Sequence, residues 1–138
     1  MSVAHAHVGV DVERLDRELC IESVARDMFS PRDQAALFAL SPRDRRRRFI
    51  ELWTLRESYA KARGLGLAFP FNSVSFSVDE PIGATFEAEA DDVADRWRFA
   101  AVAASPSHLA AVAVKTDGAE LSLRVRIVST DDLMRPAR

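Results

Sequence analysis

The 138-residue sequence has a single cysteine, Cys20, and its longest apolar run is far too short to span a bilayer. One cysteine excludes a disulfide within the chain and is typical of a reducing compartment. The residues before Val8 lack the basic segment and apolar segment that together mark a signal peptide. We therefore expect a cytoplasmic protein that neither crosses a membrane nor is secreted.

An excess of charge of either sign is also lacking. The chain has 19 lysines and arginines against 21 aspartates and glutamates, so the formal net charge is −2 and nucleic acid is not an expected partner. Hydrophobic residues make up 48% of the chain and charged residues 29%, which argues for a folded chain of ordinary composition. Its length suits one domain.

Positive charge is concentrated locally in four consecutive arginines, Arg45–Arg48. The run has two interpretations, a solvated basic surface or a docking surface for an acidic partner protein. Nucleic acid is weakly supported, because no aromatic residues are interleaved with the arginines and the domain is not basic.

Hydrophobic spacing predicts an α+β domain in which helices pack against an antiparallel-rich sheet. The tetrapeptide Ser-Pro-Arg-Asp occurs at 30–33 and 41–44, and each copy predicts a helix start with serine as N-cap. The second, longer helix ends at Gly64, which suits the left-handed position beyond a helix. The other predicted elements are a helix at Leu19–Met28 and strands at Val8–Glu13, Val74–Val78, Ala84–Glu89, Trp97–Ala104, Leu109–Lys115 and Leu121–Val128. We place the domain at residues 1–128 and a polar tail at residues 129–138.

Two charged residues lie on the apolar face of the long helix. At 100° per residue, Arg56 and Glu57 fall within the arc that holds Phe49, Trp53 and Ala60. A charge in that position costs several kcal/mol unless it is paired or bound to a metal. Both side chains are therefore candidates for a functional site.

Asp11 and Glu13 stand on one face of the first strand, about 6.6 Å apart, where their mutual repulsion favours a bound cation. If the long helix lies across this face, Glu57 joins them. Magnesium prefers oxygen ligands and commonly completes its shell with substrate phosphate, for which Arg56 and Lys61 would supply positive charge. A solvated strand face, a Glu57–Lys61 salt bridge and a surface arginine are the structural alternatives. Spacing alone leaves both interpretations open.

Three segments, GVDVE, FSPRDQAAL and WTLRESYAKARGLGL, resemble the 4′-phosphopantetheinyl transferase superfamily in order and spacing. The similarity covers Val8–Val78, with a weaker match in the strands through Lys115, and it is greatest to the C-terminal half of the surfactin-synthetase-activating type. The resemblance implies the fold of one such half. It also implies an enzyme of the holo-[acyl-carrier-protein] synthase kind, which transfers the 4′-phosphopantetheine arm of coenzyme A to a serine of an acyl or peptidyl carrier protein.

Carried over residue by residue, the resemblance implies that Asp11, Glu13 and Glu57 hold Mg²⁺ against the pyrophosphate of coenzyme A. Glu57 would also help to deprotonate the attacking serine, directly or through a water. Lys61 would bind the phosphates together with Arg56, which stands at the position of a family lysine. The catalytic residues implied in this way are Glu57 and Lys61.

The sequence departs from the two-halved relatives in one respect. Their first half supplies much of the coenzyme A site, including an S-H-S-like segment, and this sequence has no match to it. We therefore expect one of two arrangements. The first is a homo-oligomer in which Trp97–Ala104 and Leu109–Val114 form a self-complementary surface, and the second is a chain that lacks its N-terminal half.

The alternative from another functional class is a truncated or non-catalytic half that keeps the fold and at most binds a carrier protein. A third interpretation is an unrelated metal-dependent phosphate hydrolase.

Overall fold

A computed structural model of the chain describes residues 7–120, 122, 124, 126 and 128–135. It has an α+β architecture, as predicted, with helices packed against antiparallel sheets. The strands are β1 (Val8–Arg14), β2 (Val74–Ser77), β3 (Gly83–Phe86), β4 (Trp97–Ser105) and β5 (His108–Lys115). The helices are α1 (Ile21–Met28), α2 (Pro31–Phe38), α3 (Pro42–Arg63) and α4 (Thr130–Met134). In the part of the chain that these ranges cover, we find no helix with the length and apolar character of a membrane span.

The strands form a three-stranded sheet in the order β1-β5-β4 and a two-stranded sheet of β2 and β3, and every pairing is antiparallel. In the larger sheet, Asp11 lies opposite Ala111 and Glu13 lies opposite Leu109. Helix α3 packs across β1 and β5 and covers the face that holds Ala111 and Leu109. The strand with two predicted ligands thus lies against the helix that carries Glu57.

The helix ends follow the capping chemistry predicted from the sequence. The Ser30 hydroxyl accepts a hydrogen bond from the Asp33 backbone N–H at 3.1 Å, and the Ser41 hydroxyl accepts from the Asp44 N–H at 3.3 Å. A proline occupies the first turn of both helices, where its missing N–H costs nothing. Helix α3 ends at Gly64, whose φ of 69° is left-handed. These predictions are confirmed.

The last turns of α3 are fixed by an aromatic and polar cluster around Tyr59. The Tyr59 ring packs edge-on against Phe69 and Trp97, at centroid distances of 5.1 and 4.9 Å. The Tyr59 hydroxyl donates to Asp92, which also accepts from the Trp97 indole N–H at 2.7 Å. Arg63 completes the cluster by donating to the Tyr59 hydroxyl at 2.9 Å. The helical turn that carries Lys61 is therefore anchored on its buried side.

Strand β1 touches the backbone of α3 at Gly9. A Cβ built on this glycine would lie 1.8 Å from the Ser58 carbonyl oxygen and 2.4 Å from the Ala62 backbone nitrogen. Close approach therefore requires glycine here, because any side chain would push the strand off the helix. The contact sets Asp11, two residues further along β1, beside the last turns of α3.

The valines of β1 face away from the helix. Val8, Val10 and Val12 are 51%, 49% and 51% exposed, whereas Gly9 and Asp11 are buried. The alternation predicted for this strand is confirmed, and its polar face is the one that packs inward. The outer face of the sheet is left apolar.

Four predicted segments differ from the structure or lie partly outside the described residues. The helix predicted from Leu19 begins at Ile21, and the strand predicted at Ala84–Glu89 ends at Phe86 and is followed by a 3₁₀ turn, Ala88–Ala90. In the strand predicted at Leu121–Val128, every second position (121, 123, 125 and 127) lies outside the described residues, so the strand remains a prediction. The segment predicted as a polar tail contains the short helix α4, which starts with a capping box. The domain boundary after residue 128 remains a prediction.

A candidate active site between the first strand and the long helix

The first strand and the long helix bring together Asp11, Glu13, Glu57 and Lys61. The Lys61 ammonium nitrogen donates to Asp11 Oδ1 at 2.7 Å. The Asp11 side chain is 9% exposed and that of Lys61 is 51% exposed. Asp11 Oδ2 is buried and has no hydrogen-bond partner among the described residues. A buried carboxylate oxygen without a partner can accept a further hydrogen bond or a cation.

Glu13 is held by two groups that the sequence did not single out. One Arg17 guanidinium nitrogen donates to both of its carboxylate oxygens, at 2.9 and 3.0 Å. The Trp53 indole N–H donates to Glu13 Oε1 at 3.3 Å. In the sequence, only the spacing of four residues from Glu13 points to Arg17. The contact itself depends on the turn that follows β1. Trp53 was expected only as an apolar residue.

Burial and like charge both act on the carboxyl groups of the site. Burial raises the pKa of Glu57, and the charge of Asp11 and then that of Glu13 raise it further. Burial also raises the pKa of Asp11, and this outweighs the opposing effect of Lys61. The hydrogen bond to Asp11 raises the pKa of Lys61. The three carboxyl groups thus repel one another, which favours an added cation.

The donor chemistry suits a magnesium ion, although the ligands are not assembled around one point. Within the described ranges, no group of three or more histidine, cysteine, aspartate or glutamate side chains is placed to hold a metal ion. The carboxylates of Asp11 and Glu13 are each turned toward a basic side chain instead. The unpartnered Asp11 Oδ2 and an all-oxygen donor set nevertheless fit a cation such as Mg²⁺. Assignment of the metal to Asp11, Glu13 and Glu57 therefore remains a proposal.

Arg56 does not join this cluster. Its side chain is fully buried, and its guanidinium donates to the Asp33 carboxylate, to the Phe71 carbonyl oxygen at 3.2 Å and to the Val74 carbonyl oxygen at 2.8 Å. It also lies over the Phe29 ring, 4.3 Å from the centroid. A guanidinium whose hydrogen bonds are used inside the core is not available to a phosphate in solvent. Arg56 therefore lies in the core and does not make the expected phosphate contact.

The arginine run is also tied to its own chain. Arg45 donates to the Phe38 and Leu40 carbonyl oxygens at 3.2 and 3.1 Å, and Arg46 donates to the Arg17 carbonyl oxygen at 2.9 Å. The next two arginines, 47 and 48, pair with Glu51. Much of the run thus has a structural role, and docking of an acidic partner remains a prediction.

An open cleft gives access to the site from the Glu13 side. Its volume is about 680 Å³, and Glu13, Arg17 and His108 are among the residues that line it. His108 comes from the start of β5, where its Nδ1 lies 2.8 Å from the Ser105 hydroxyl. A ligand in this cleft could therefore reach the Glu13 carboxylate from solvent.

Comparison with known proteins points to one family. The family model described as "4'-phosphopantetheinyl transferase superfamily" matches residues 7–113. A 4′-phosphopantetheinyl transferase of Bacillus subtilis is 27% identical over 123 residues, which cover 79% of this chain and 52% of that protein. The 4′-phosphopantetheinyl transferase gsp of Aneurinibacillus migulanus is 35% identical over 72 residues, covering 52% of this chain and 30% of that protein. The chain thus spans about half, or less, of the length of these relatives.

Two solved structures share the fold. The Thermotoga maritima holo-[acyl-carrier-protein] synthase superposes with a TM-score of 0.61 at 18% identity, covering 79% of this chain and 62% of that one. A structure described as a Chronobacterium ammoniagenes ACPS–CoA complex superposes with a TM-score of 0.59 at 13% identity, covering 80% of this chain and 96% of that one. At these identities the likeness concerns the fold alone.

Proposed function

Because the chain belongs to the 4′-phosphopantetheinyl transferase superfamily, we propose that it transfers the 4′-phosphopantetheine arm of coenzyme A to a serine of an acyl or peptidyl carrier protein. The serine hydroxyl oxygen bonds to the phosphorus of the pantetheine side, and the bond from that phosphorus to the bridging oxygen of the diphosphate breaks. The hydroxyl proton passes to a base, and adenosine 3′,5′-bisphosphate leaves. The observation that carries the proposal is the hydrogen bond from Lys61 to Asp11 at the contact between β1 and α3, where burial and the charge of Asp11 also raise the pKa of Glu57.

Each residue has a role that its position supports. Asp11, Glu13 and Glu57 would hold Mg²⁺, which when bound neutralises charge on the diphosphate. Lys61 is half exposed and can place its ammonium group against a phosphate oxygen. Glu57 would accept the serine proton, directly or through a water.

The test is incubation of the full chain with coenzyme A, Mg²⁺ and several apo carrier proteins, followed by intact mass measurement of the carriers. We expect a carrier to gain the mass of one phosphopantetheine group. Glu57→Gln and Lys61→Ala should abolish or strongly slow the gain. Arg32→Ala is the matched control, because it removes an exposed positive charge that lies outside both the site and the Arg45–Arg48 run, and it should transfer like the wild type.

Failure of the wild-type chain with every carrier would contradict the proposal. Carrier binding without transfer would then favour the non-catalytic half-domain. Release of phosphate from coenzyme A without any carrier product would favour a hydrolase.

We also propose that the outer face of the larger sheet is covered by a second copy of the chain. Val8, Val10 and Val12 are each about half exposed, and they form an apolar stripe on a face that α3 does not cover. The inner faces of β4 and β5 pack toward α3, so the self-complementary surface expected from their sequence is restricted to their outer faces. Sedimentation velocity should show a dimer or larger species, and Val10→Lys should shift it toward monomer.

A purely monomeric wild-type chain with robust transfer would refute the oligomer. A monomer that acquires activity only when an N-terminal half is supplied would instead support the two-halved arrangement. We also propose a cytoplasmic location, which agrees with the single, exposed cysteine.

A further inference from the structure

Lys61 already provides a positive charge to the carboxylate that a metal ion would bind. Its ammonium nitrogen lies 2.7 Å from Asp11 Oδ1, and of the residues that the structure describes only Asp11 accepts a hydrogen bond from it. The two residues are 50 positions apart in sequence, so the pair exists because β1 packs on α3. The pair is therefore a property of the folded site and not of the local sequence.

Because Asp11 is buried, its carboxylate favours one cationic partner over two. The Asp11 side chain is 9% exposed, so its charge cannot be solvated fully by water and requires a counter-charge. A divalent ion and an ammonium group on one carboxylate repel each other strongly at this burial. Since Lys61 is half exposed and has a long flexible stem, it is the partner that can leave.

Glu13, on the same strand, is also paired with a partly exposed basic side chain. Both of its oxygens accept from Arg17, whose side chain is 45% exposed. Two of the three proposed ligands are thus neutralised from within the chain by side chains that reach into solvent. Both this pairing and the repulsion between the carboxylates agree with the absence of an assembled group of three among the described residues.

We propose that Lys61 is a built-in counter-ion, which a divalent cation must displace from Asp11 and which then becomes available to an anionic diphosphate. The inference rests on the proposed function, because it concerns the metal and the phosphate of that site. It assigns the order of events: the ammonium group is paired with Asp11 in the unloaded protein and with the phosphate in the loaded protein. Metal and phosphate therefore bind with positive coupling, and each raises the affinity for the other by the same factor.

The deciding measurement is titration of Mg²⁺ into the unliganded protein, without coenzyme A or carrier protein, by calorimetry. Lys61→Met removes the competing charge and keeps the apolar stem, so Mg²⁺ should bind about tenfold more tightly than to the wild type, within the usual range of coupling between sites. Lys61→Arg keeps a competing cation and should stay near the wild-type affinity. Arg47→Met measures the general effect of removing one positive charge, because it lies about 21 Å away on the same helix.

The coupling is measured with coenzyme A as the anionic probe. In the wild type, Mg²⁺ should raise the affinity for coenzyme A, and in Lys61→Met that factor should be smaller, because the release of Lys61 from Asp11 no longer contributes to it. Circular dichroism melts of every variant check that the fold is retained.

An affinity of Lys61→Met for Mg²⁺ that is no higher than that of Arg47→Met would overturn the inference. So would a coupling factor that Lys61→Met leaves unchanged. These outcomes are separate from the proposed function, since carrier loading can be lost while Mg²⁺ binds more tightly, and loading by the wild type can persist while Lys61→Met shows no gain.

Discussion

The guanidinium of Arg56 donates to the carboxylate of Asp33 in the core, where the two side chains are 0% and 3% exposed. The pair joins α3 to α2, and the same carboxylate accepts from the Phe76 backbone N–H in β2. Arg56 adds a hydrogen bond to the Val74 carbonyl oxygen in that strand. One ion pair thus fastens two helices and the smaller sheet to each other.

Asp33→Ala should therefore destabilise the protein strongly. It leaves a guanidinium in the core without its counter-charge, and breaking a buried pair in this way costs about 3–5 kcal/mol of the free energy of unfolding. Urea denaturation followed by circular dichroism measures the loss. Asp16→Ala is the control, because it breaks an exposed pair with Arg14 and should leave the midpoint nearly unchanged. Equal effects of the two substitutions would contradict the role given to the buried pair.

Gly9→Ala tests the contact between β1 and α3. The added methyl group would overlap backbone atoms of Ser58 and Ala62, which have no rotamer by which to retreat. Overpacking costs about 1–3 kcal/mol where side chains can adjust, so we expect a loss at or above the top of that range. Gly83→Ala is matched in chemistry, has nothing within 4 Å of the added atom, and should change the free energy of unfolding by less than about 0.5 kcal/mol. A small effect at Gly9 would mean that the two elements are further apart than described.

Glu57→Gln should change how stability depends on pH. Burial and the charges of Asp11 and Glu13 raise the pKa of Glu57 above its ordinary value of 4.5. The folded protein then binds a proton at Glu57 more tightly than the unfolded chain does, so stability falls as the pH rises from 4.5 through the raised pKa. Without Mg²⁺, Glu57→Gln should be more stable than the wild type at pH 7 and should lose that advantage at pH 4.

Thermal melts across that pH range check this prediction, with Glu89→Gln as an exposed substitution of the same chemistry. A difference between Glu57→Gln and wild type that does not vary with pH would count against it. With Mg²⁺ and coenzyme A present, the ligand-induced rise in melting temperature should be lost in Glu57→Gln.

Lys61→Ala should weaken coenzyme A binding more than Arg63→Ala does, when Mg²⁺ is present. Lys61 is half exposed at the site, whereas Arg63 donates to the Ala90 carbonyl oxygen at 2.7 Å and to the Tyr59 hydroxyl. Calorimetry with both variants measures the two losses. If they were equal, a diffuse positive field would explain the binding better than a specific contact.

Much of this arrangement could be predicted because it depends on short-range chemistry. The serine caps and Gly64 are set by hydrogen bonds and backbone angles within a few residues, so the ends of α2 and α3 follow from the sequence. Alternation places Asp11 on the polar face of β1, and the helical repeat places Lys61 one turn beyond Glu57. The hydrogen bond between Asp11 and Lys61 was not predicted, because it depends on the packing of β1 on α3.

The partners of Arg56 and Glu13 could not be predicted in this way. A charge on the apolar face of a helix must be neutralised, but the sequence does not say whether a metal, a ligand or another side chain does so. Asp33 lies 23 residues earlier, on another helix, and Arg17 reaches Glu13 only because of the turn after β1. Such pairings depend on tertiary packing, which no local pattern encodes.

The contact at Gly9 has a consequence for how the site can adapt. Since backbone lies directly on backbone there, no side chain can repack to bring β1 closer to α3 or to let it retreat. The distance from the Asp11 main chain to the Glu57 main chain is thus a fixed dimension of the scaffold. Selection for a different ligand would act on the length and charge of the surrounding side chains, while the spacing of the β1 and α3 backbones would stay the same.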